Sequence, residues 1–206
     1  MSKKMLNRMF ARQFALMFVL LGSLLTLSGC GVNNIPTLDE QVKADWAQVE
    51  NQYQRRADLI PNLVSTVKGY AAHEQETLQA VVEARAKVGS MQVNSSILNN
   101  PDQLKQFEAA QSQLSSALSR LMVVVERYPD LKANQNFLAL QSQLEGTENR
   151  ISVARRDFIQ SVSAYNTEIR TFPGRIWHSL LYSDMPIRET YEATTSGAEE
   201  APKVEF

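Results

Sequence analysis

Apolar residues form one dense run near the start of the chain and long periodic stripes after it. The run, Phe14 to Leu27, leads directly into Ser28-Gly29-Cys30 and a short linker ending at Pro36. Beyond the linker the spacing turns helical: Leu38, Val42, Val49, Ile60, Leu63, Val67 and Tyr70 are separated by three, four or their sums, and the stripe continues through Leu78, Val81 and Val82. Thr37-Leu38-Asp39-Glu40 has the form of a capping box, so the spacing predicts a helix starting there with two acidic residues at the positive end of its dipole. Pro61 lies inside the stripe, where it removes an amide donor and crowds the carbonyl four residues back, and a kink is expected. Gly69 to His73 is a second weak point. Gly89 to Asn100 lacks helical periodicity and reads as a loop. Asn100-Pro101-Asp102-Gln103 then joins a cap residue to a proline at the first helical position, and Leu104, Phe107, Leu114, Leu118, Leu121 and Val125 follow until Tyr128-Pro129. A last long stripe, Phe137, Leu140, Leu144, Ile151, Phe158, Val162, Tyr165 and Ile169, begins near Asn134 and stops at Phe172-Pro173-Gly174. No strand signal appears.

Lengths constrain how these helices combine. An unbroken helix from Leu38 to Val88 would run about 77 Å, against about 40 Å for Pro101 to Arg127 and about 57 Å for Asn134 to Thr171. A straight helix of the first length leaves much of its stripe uncovered, so a turn near Gly69 to His73 is expected, giving an all-α, antiparallel up-and-down bundle of four helices. Three helices with an overhanging first one that pairs with a second copy, a homo-oligomer, is the alternative. Residues 30–36 read as a linker, 37–182 as the bundle, and 183–206 as an acidic, disordered tail. Arg175 to Tyr182 forms a short helix in this reading, with Trp177, Leu180 and Leu181 plugging the core; an apolar patch at the membrane interface is the other role open to them.

The first thirty residues change the picture. Lys3, Lys4, Arg8 and Arg12 precede the apolar run and no acidic residue does, the layout of a secretory signal over residues 1–29. The run is shorter than the roughly 20 apolar residues of a permanent span. Leu27-Ser28-Gly29-Cys30 resembles the bacterial lipobox, which predicts cleavage before Cys30, the chain's one cysteine, and acylation of its sulfur by a lipid such as palmitate. An uncleaved signal anchor is the competing reading. In either case the rest of the chain ends up outside the cytoplasm. With Gly31 rather than an aspartate after the cysteine, the periplasmic face of the outer membrane is expected where two membranes exist. Without the four leader cations, 17 basic residues face 22 acidic ones. A chain so charged, with no basic stripe, is a poor ligand for phosphates, which sets nucleic acid aside as a partner.

Two stretches carry a family resemblance. Gln54-Arg55-Arg56-Ala57-Asp58-Leu59-Ile60-Pro61-Asn62-Leu63-Val64 is one; the other runs from Tyr128-Pro129-Asp130-Leu131-Lys132-Ala133-Asn134 through Gln143 to Ile151, Ala154 to Phe158 and Tyr165-Asn166. In these the chain resembles the LemA family of bacterial envelope proteins over about residues 30 to 182. The resemblance implies a bromodomain-like helical bundle outside the membrane, held by an N-terminal anchor, and it implies no established catalytic activity. The lipobox and the acidic tail depart from the family's usual pattern.

Candidate chemistry is sparse. His73 and His178 are far apart and neither sits in a metalloprotease or hydrolase motif; no phosphate loop, C-x-x-C or calcium loop is present, so no cofactor, metal or catalytic residue is assigned. Arg55, Asp58, Asn149, Arg150, Arg156 and Asp157 read either as a solvated face of helical ion pairs or as a docking surface for another envelope protein. One charge points inward. With Leu63 as the centre of the first stripe, Arg56 falls about 20° away, and with Ile151 as the centre of the last, Glu148 falls about 60° away. A buried charge requires a partner, so an Arg56–Glu148 pair is expected, with Arg155 or Asn166 as a third member; a guanidinium snorkelling to water is the alternative. These features together suggest a non-catalytic, membrane-tethered scaffold, with a hydrolase using Arg and carboxylate groups in a cleft as the rival.

Overall fold

A computed structural model describes residues 31–91 and 95–191, together with Gln13 and Met17. All regular structure among the described residues is helical. In chain order the elements are α1 (Asn34–Tyr70), α2 (Gln75–Gly89), a 3-10 segment (Ser95–Asn99), α3 (Pro101–Val125), the single turn α4 (Pro129–Lys132), α5 (Gln135–Arg170) and α6 (Gly174–Leu181). The four longer helices make the bundle, and the short α4 and α6 stand outside the count of four.

The chain turns where expected, between Tyr70 and Gln75, and α1 with α5 forms a long antiparallel pair. Asn34 Nδ2 donates to Glu168 at one end of that pair, and Asn134 Nδ2 donates to the Tyr70 hydroxyl at the other. Ala57 apart, the buried residues of α1 follow a three–four alternation: Ile35, Asp39, Val42, Trp46, Val49, Tyr53, Arg56, Ile60, Leu63 and Val67. A repeat of 3.5 residues is the spacing that keeps one seam of a helix against its neighbours. Two of its positions are charged. The caps of α3 and α5 follow their residues, with Asn100 accepting from the Gln103 amide and Asn134 from the Phe137 amide.

Three details differ from the sequence pattern. Helix α1 starts at Asn34, ahead of the Thr37 box, because Gly31 at φ 101° turns the chain there and Pro36 falls in the first turn, where a missing amide leaves no helical bond unmade. Helix α1 also runs on through Pro61; the Ala57 carbonyl, which Pro61 cannot serve, accepts from Arg85 Nε of α2 at 2.9 Å. Residues 183–191 are not free tail. Arg188 and Tyr191 are buried, held by Tyr165 Oη donating to the Pro186 carbonyl and by Asn166, which donates to the Arg188 carbonyl and accepts from its amide. Polar composition misleads here because the segment contributes one aromatic ring and one guanidinium to sites already built by the helices. Residues 192–206 lie outside the described residues.

The core falls into two clusters. One joins Trp46, Tyr53, Phe107, Phe158, Tyr165 and Tyr191, with Trp46 5.3 Å from Phe158 and 5.8 Å from Phe107 between ring centroids. The other joins Ile60, Leu63, Val67, Leu114, Leu121 and Phe137. Between Tyr53 and Ile60 on α1, Phe107 and Leu114 on α3, and Leu144 and Ile151 on α5 lies a polar layer.

Candidate functional site

Arg56 is the centre of that layer, 2% exposed. Its position on the α1 seam aims the side chain between α3 and α5. Nη1 donates to Glu148 Oε2 and to Ser115 Oγ, each at 2.9 Å, and Nη2 donates to Gln111 Oε1 at 2.5 Å. The guanidinium also lies 5.1 Å from the Tyr53 ring centroid. Arg56 therefore does not snorkel. Its pairing is one-sided in exposure, since the Glu148 side chain is 56% accessible.

The further partners come from α3, not from Arg155 or Asn166. Arg155 stacks its guanidinium 4.1 Å over the Tyr191 ring, and Asn166 is committed to the backbone of Arg188. Gln111 was legible as a polar residue at a stripe position, four after Phe107 and three before Leu114.

A cleft between α3 and α5 opens above Arg56. Its polar part, about 170 Å³, is lined by Tyr53, Arg56, Glu108, Gln111, Ser115, Glu148 and neighbours. An apolar extension of about 310 Å³ adds Leu118, Met122 and Leu144. Burial pushes the Tyr53 hydroxyl above its ordinary value, which keeps it a neutral phenol. Ser115 Oγ faces a guanidinium, and a cation is no base for activating a hydroxyl.

The six surface residues do not share one face. Asn149, Arg150 and Asp157 line a shallow groove of about 360 Å³ with Asp45, Gln48 and Gln52 of α1, and the exposed Val153 and the edge of Ala154 sit within it. Asp58 lies on the other side of α1, accepting from Gln54 at 2.9 Å, and Gln54 borders the space toward α2. Arg55 and Arg156 are exposed, and Arg156 meets Asp157 at 3.3 Å.

A second polar site went unread in the sequence. Asp39, 1% exposed, accepts from Arg188 Nε at 3.0 Å and Nη2 at 2.5 Å, while Lys43 Nζ meets its other oxygen at 2.9 Å. Arg188 Nη1 also bonds Asn99 of the 3-10 segment. Burial pushes the Asp39 carboxyl up, but the bonds from Lys43 and Arg188 and their charges outweigh it and hold the pKa below the ordinary value. His73 is exposed at the α1–α2 turn, and His178 bonds the Met185 carbonyl at 2.8 Å. Cys30 lies outside the described residues, and among those described no helix is long and apolar enough to cross a membrane.

Comparison with known proteins places these features in context. The LemA family model matches residues 45–206, a range that holds Arg56, Glu148 and Arg188 but begins after Asp39. Magnetosome protein MamQ 2 of Paramagnetospirillum magneticum is 27% identical over 166 residues, covering 73% of this chain and 60% of that protein. Protein LemA of Metamycoplasma hominis is 31% identical over 119 residues, covering 58% and 50% respectively. The chain thus spans about 60% or less of the length of these curated relatives.

Proposed function

The chain belongs to the LemA family, and from that premise we propose that it is a membrane-tethered, exported helical bundle that docks another protein of the cell envelope rather than carrying out catalysis. The observation that carries this reading is the groove between α1 and α5. Its lining combines exposed Val153 and the edge of Ala154 with Asp45, Gln48, Asn149, Arg150 and Asp157, the mixture of apolar and polar surface that a protein interface uses. The cleft over Arg56 favours a hydrolase less, because its guanidinium is already committed to Glu148, Ser115 and Gln111. Tethering through Cys30 rests on the lipobox-like Leu27-Ser28-Gly29-Cys30.

The test is affinity purification of the full chain from detergent-solubilised membranes, alongside Arg150→Glu and Val153→Asp. A stoichiometric partner held by the wild type and lost from both variants is expected. A partner retained by both, or none in repeated trials, overturns the docking surface. Metabolic labelling with a palmitate analogue addresses the tether separately: Cys30→Ala should abolish the label, and a label that survives sinks the lipid reading.

A further inference from the structure

Of the residues read as a core plug or an apolar patch, Trp177 turns to the core while Leu180 and Leu181 do not. Gly174 packs so closely on α5 that a Cβ there would lie 2.2 Å from the Glu168 carbonyl oxygen, and Trp177 packs against the core cluster. Outside that contact, Phe172 is 82% exposed, Leu180 68%, Leu181 57% and Ile176 46%. Ile176 and Leu180, four residues apart, share one face of the helix, and Arg175 and Ser179 share the next.

The position of this patch says what covers it. Gly31, where the chain arrives from its apolar leader, lies within van der Waals reach of Pro173: a Cβ on Gly31 would sit 3.8 Å from the proline ring. Asn34 at the start of α1 bonds Glu168 near the end of α5. The end of the bundle that carries α6 is therefore the end from which the membrane anchor emerges, whether that anchor is a lipid on Cys30 or an uncleaved leader. The opposite end is closed by polar bonds, Arg127 and Tyr128 to Glu74 and Asn134 to Tyr70.

We propose that α6 and Phe172 form an interfacial element that lies on the lipid surface beside the anchor, with Ile176, Leu180 and Phe172 entering the headgroup–acyl boundary. Short amphipathic helices bind lipid weakly alone, and an anchor within a few residues makes such binding effectively intramolecular. Arg170 and Arg175 at this end favour anionic headgroups, while Glu168, Asp184 and Glu189 oppose them, so apolar insertion leads and charge assists. With the chain fixed at two points, the bundle stands in one orientation on the membrane.

This inference rests on the tether reading, and its test separates the two. Full-length protein carrying Leu180→Cys, and as control Val123→Cys on the exposed face of α3, is spin-labelled and reconstituted into vesicles of phosphatidylethanolamine and phosphatidylglycerol. Collision with oxygen and with a water-soluble nickel chelate is then measured. The label at 180 should become several-fold less accessible to the chelate and more accessible to oxygen, while the label at 123, a site 71% exposed, stays aqueous. Equal chelate access at both sites overturns the proposal, as does protection at 180 that appears in native membranes but not in these vesicles, which would mark a protein partner. Labelling of the wild type reports on Cys30 alone, the only native cysteine. A free sulfur there defeats the lipid anchor, and the comparison is then made in a Cys30→Ser background with the same two outcomes.

Discussion

Asp39 and Arg56 stand on the same buried seam of α1, and the bundle treats them differently. Asp39 meets Arg188, itself 7% exposed, so both members of that pair have left water. Arg56 meets Glu148, most of whose side chain remains in water. The first pair bridges 149 residues of chain and ties an irregular segment to α1; the second joins two long helices that also meet along the rest of their length. A charge on a helix seam signals that a partner exists. How strongly the pair holds is set by the partner's exposure, because attraction and desolvation both grow as water is excluded.

The largest expected effect follows from removing the sealed partner. Arg188→Met leaves the Asp39 carboxylate buried with only Lys43 to answer it, and urea unfolding should show a loss of about 3–5 kcal/mol. The segment from Tyr182 to Tyr191 should also come away, shifting the emission of Trp46, whose ring centroid lies 6.3 Å from that of Tyr191. A loss below about 1 kcal/mol would mean that the two sites do not differ in kind.

Acid sharpens the contrast. The folded-state pKa of Asp39 lies below its ordinary value, so its contribution is fully present above the unfolded pKa of about 4 and is lost as pH falls through the lower folded value. Stability measured against pH should fall in that range for the wild type and fall less steeply for Asp39→Asn. An unchanged slope would show that Asp39 is not held ionised by its partners.

At the second site a double-mutant cycle with Arg56→Met and Glu148→Gln should give a coupling of about 1 kcal/mol, decreasing with added salt. Coupling of about 3 kcal/mol or more, insensitive to salt, would place Glu148 in the sealed class and end the comparison.

The difference in legibility between the sites has a physical origin. Arg56 and Glu148 both lie on long, regular helices, where a constant angle per residue projects sequence into direction, so their meeting followed from two stripes. Asp39 had a sufficient explanation as a capping-box acid at a helix start, and only the further turn from Asn34 to Thr37 reveals it as a seam residue. Arg188 sits in an irregular segment with no period, where direction cannot be projected and the partner lies 149 residues away. Helix α6 divides for a related reason: Trp177 packs against the core as the plug reading expects, but in two turns only Gly174, Trp177 and His178 are withdrawn from solvent, so an apolar residue there, Leu180 or Leu181, does not imply a buried one. Asp58 separates from Asn149, Arg150 and Asp157 because motif membership says nothing about the side of a helix.

The smallest effect tests whether Arg188 alone accounts for the sealed site. Lys43 bonds both Glu40 and Asp39, at 2.6 and 2.9 Å, and those two bonds raise its pKa in that order. Its side chain is 39% exposed, so solvent screens what it contributes. Lys43→Met should therefore cost less than about 1 kcal/mol at neutral pH, well below Arg188→Met, even though both substitutions remove a cation from the same carboxylate. The acid arm of the stability curve should move to higher pH, since one of the two groups holding Asp39 ionised is gone. If Lys43→Met instead matched Arg188→Met, exposure of the partner would not be what separates a strong buried pair from a weak one. The distinction drawn between Asp39 and Arg56 would then have to rest on the packing of the Tyr182 to Tyr191 segment rather than on the exclusion of water from its arginine.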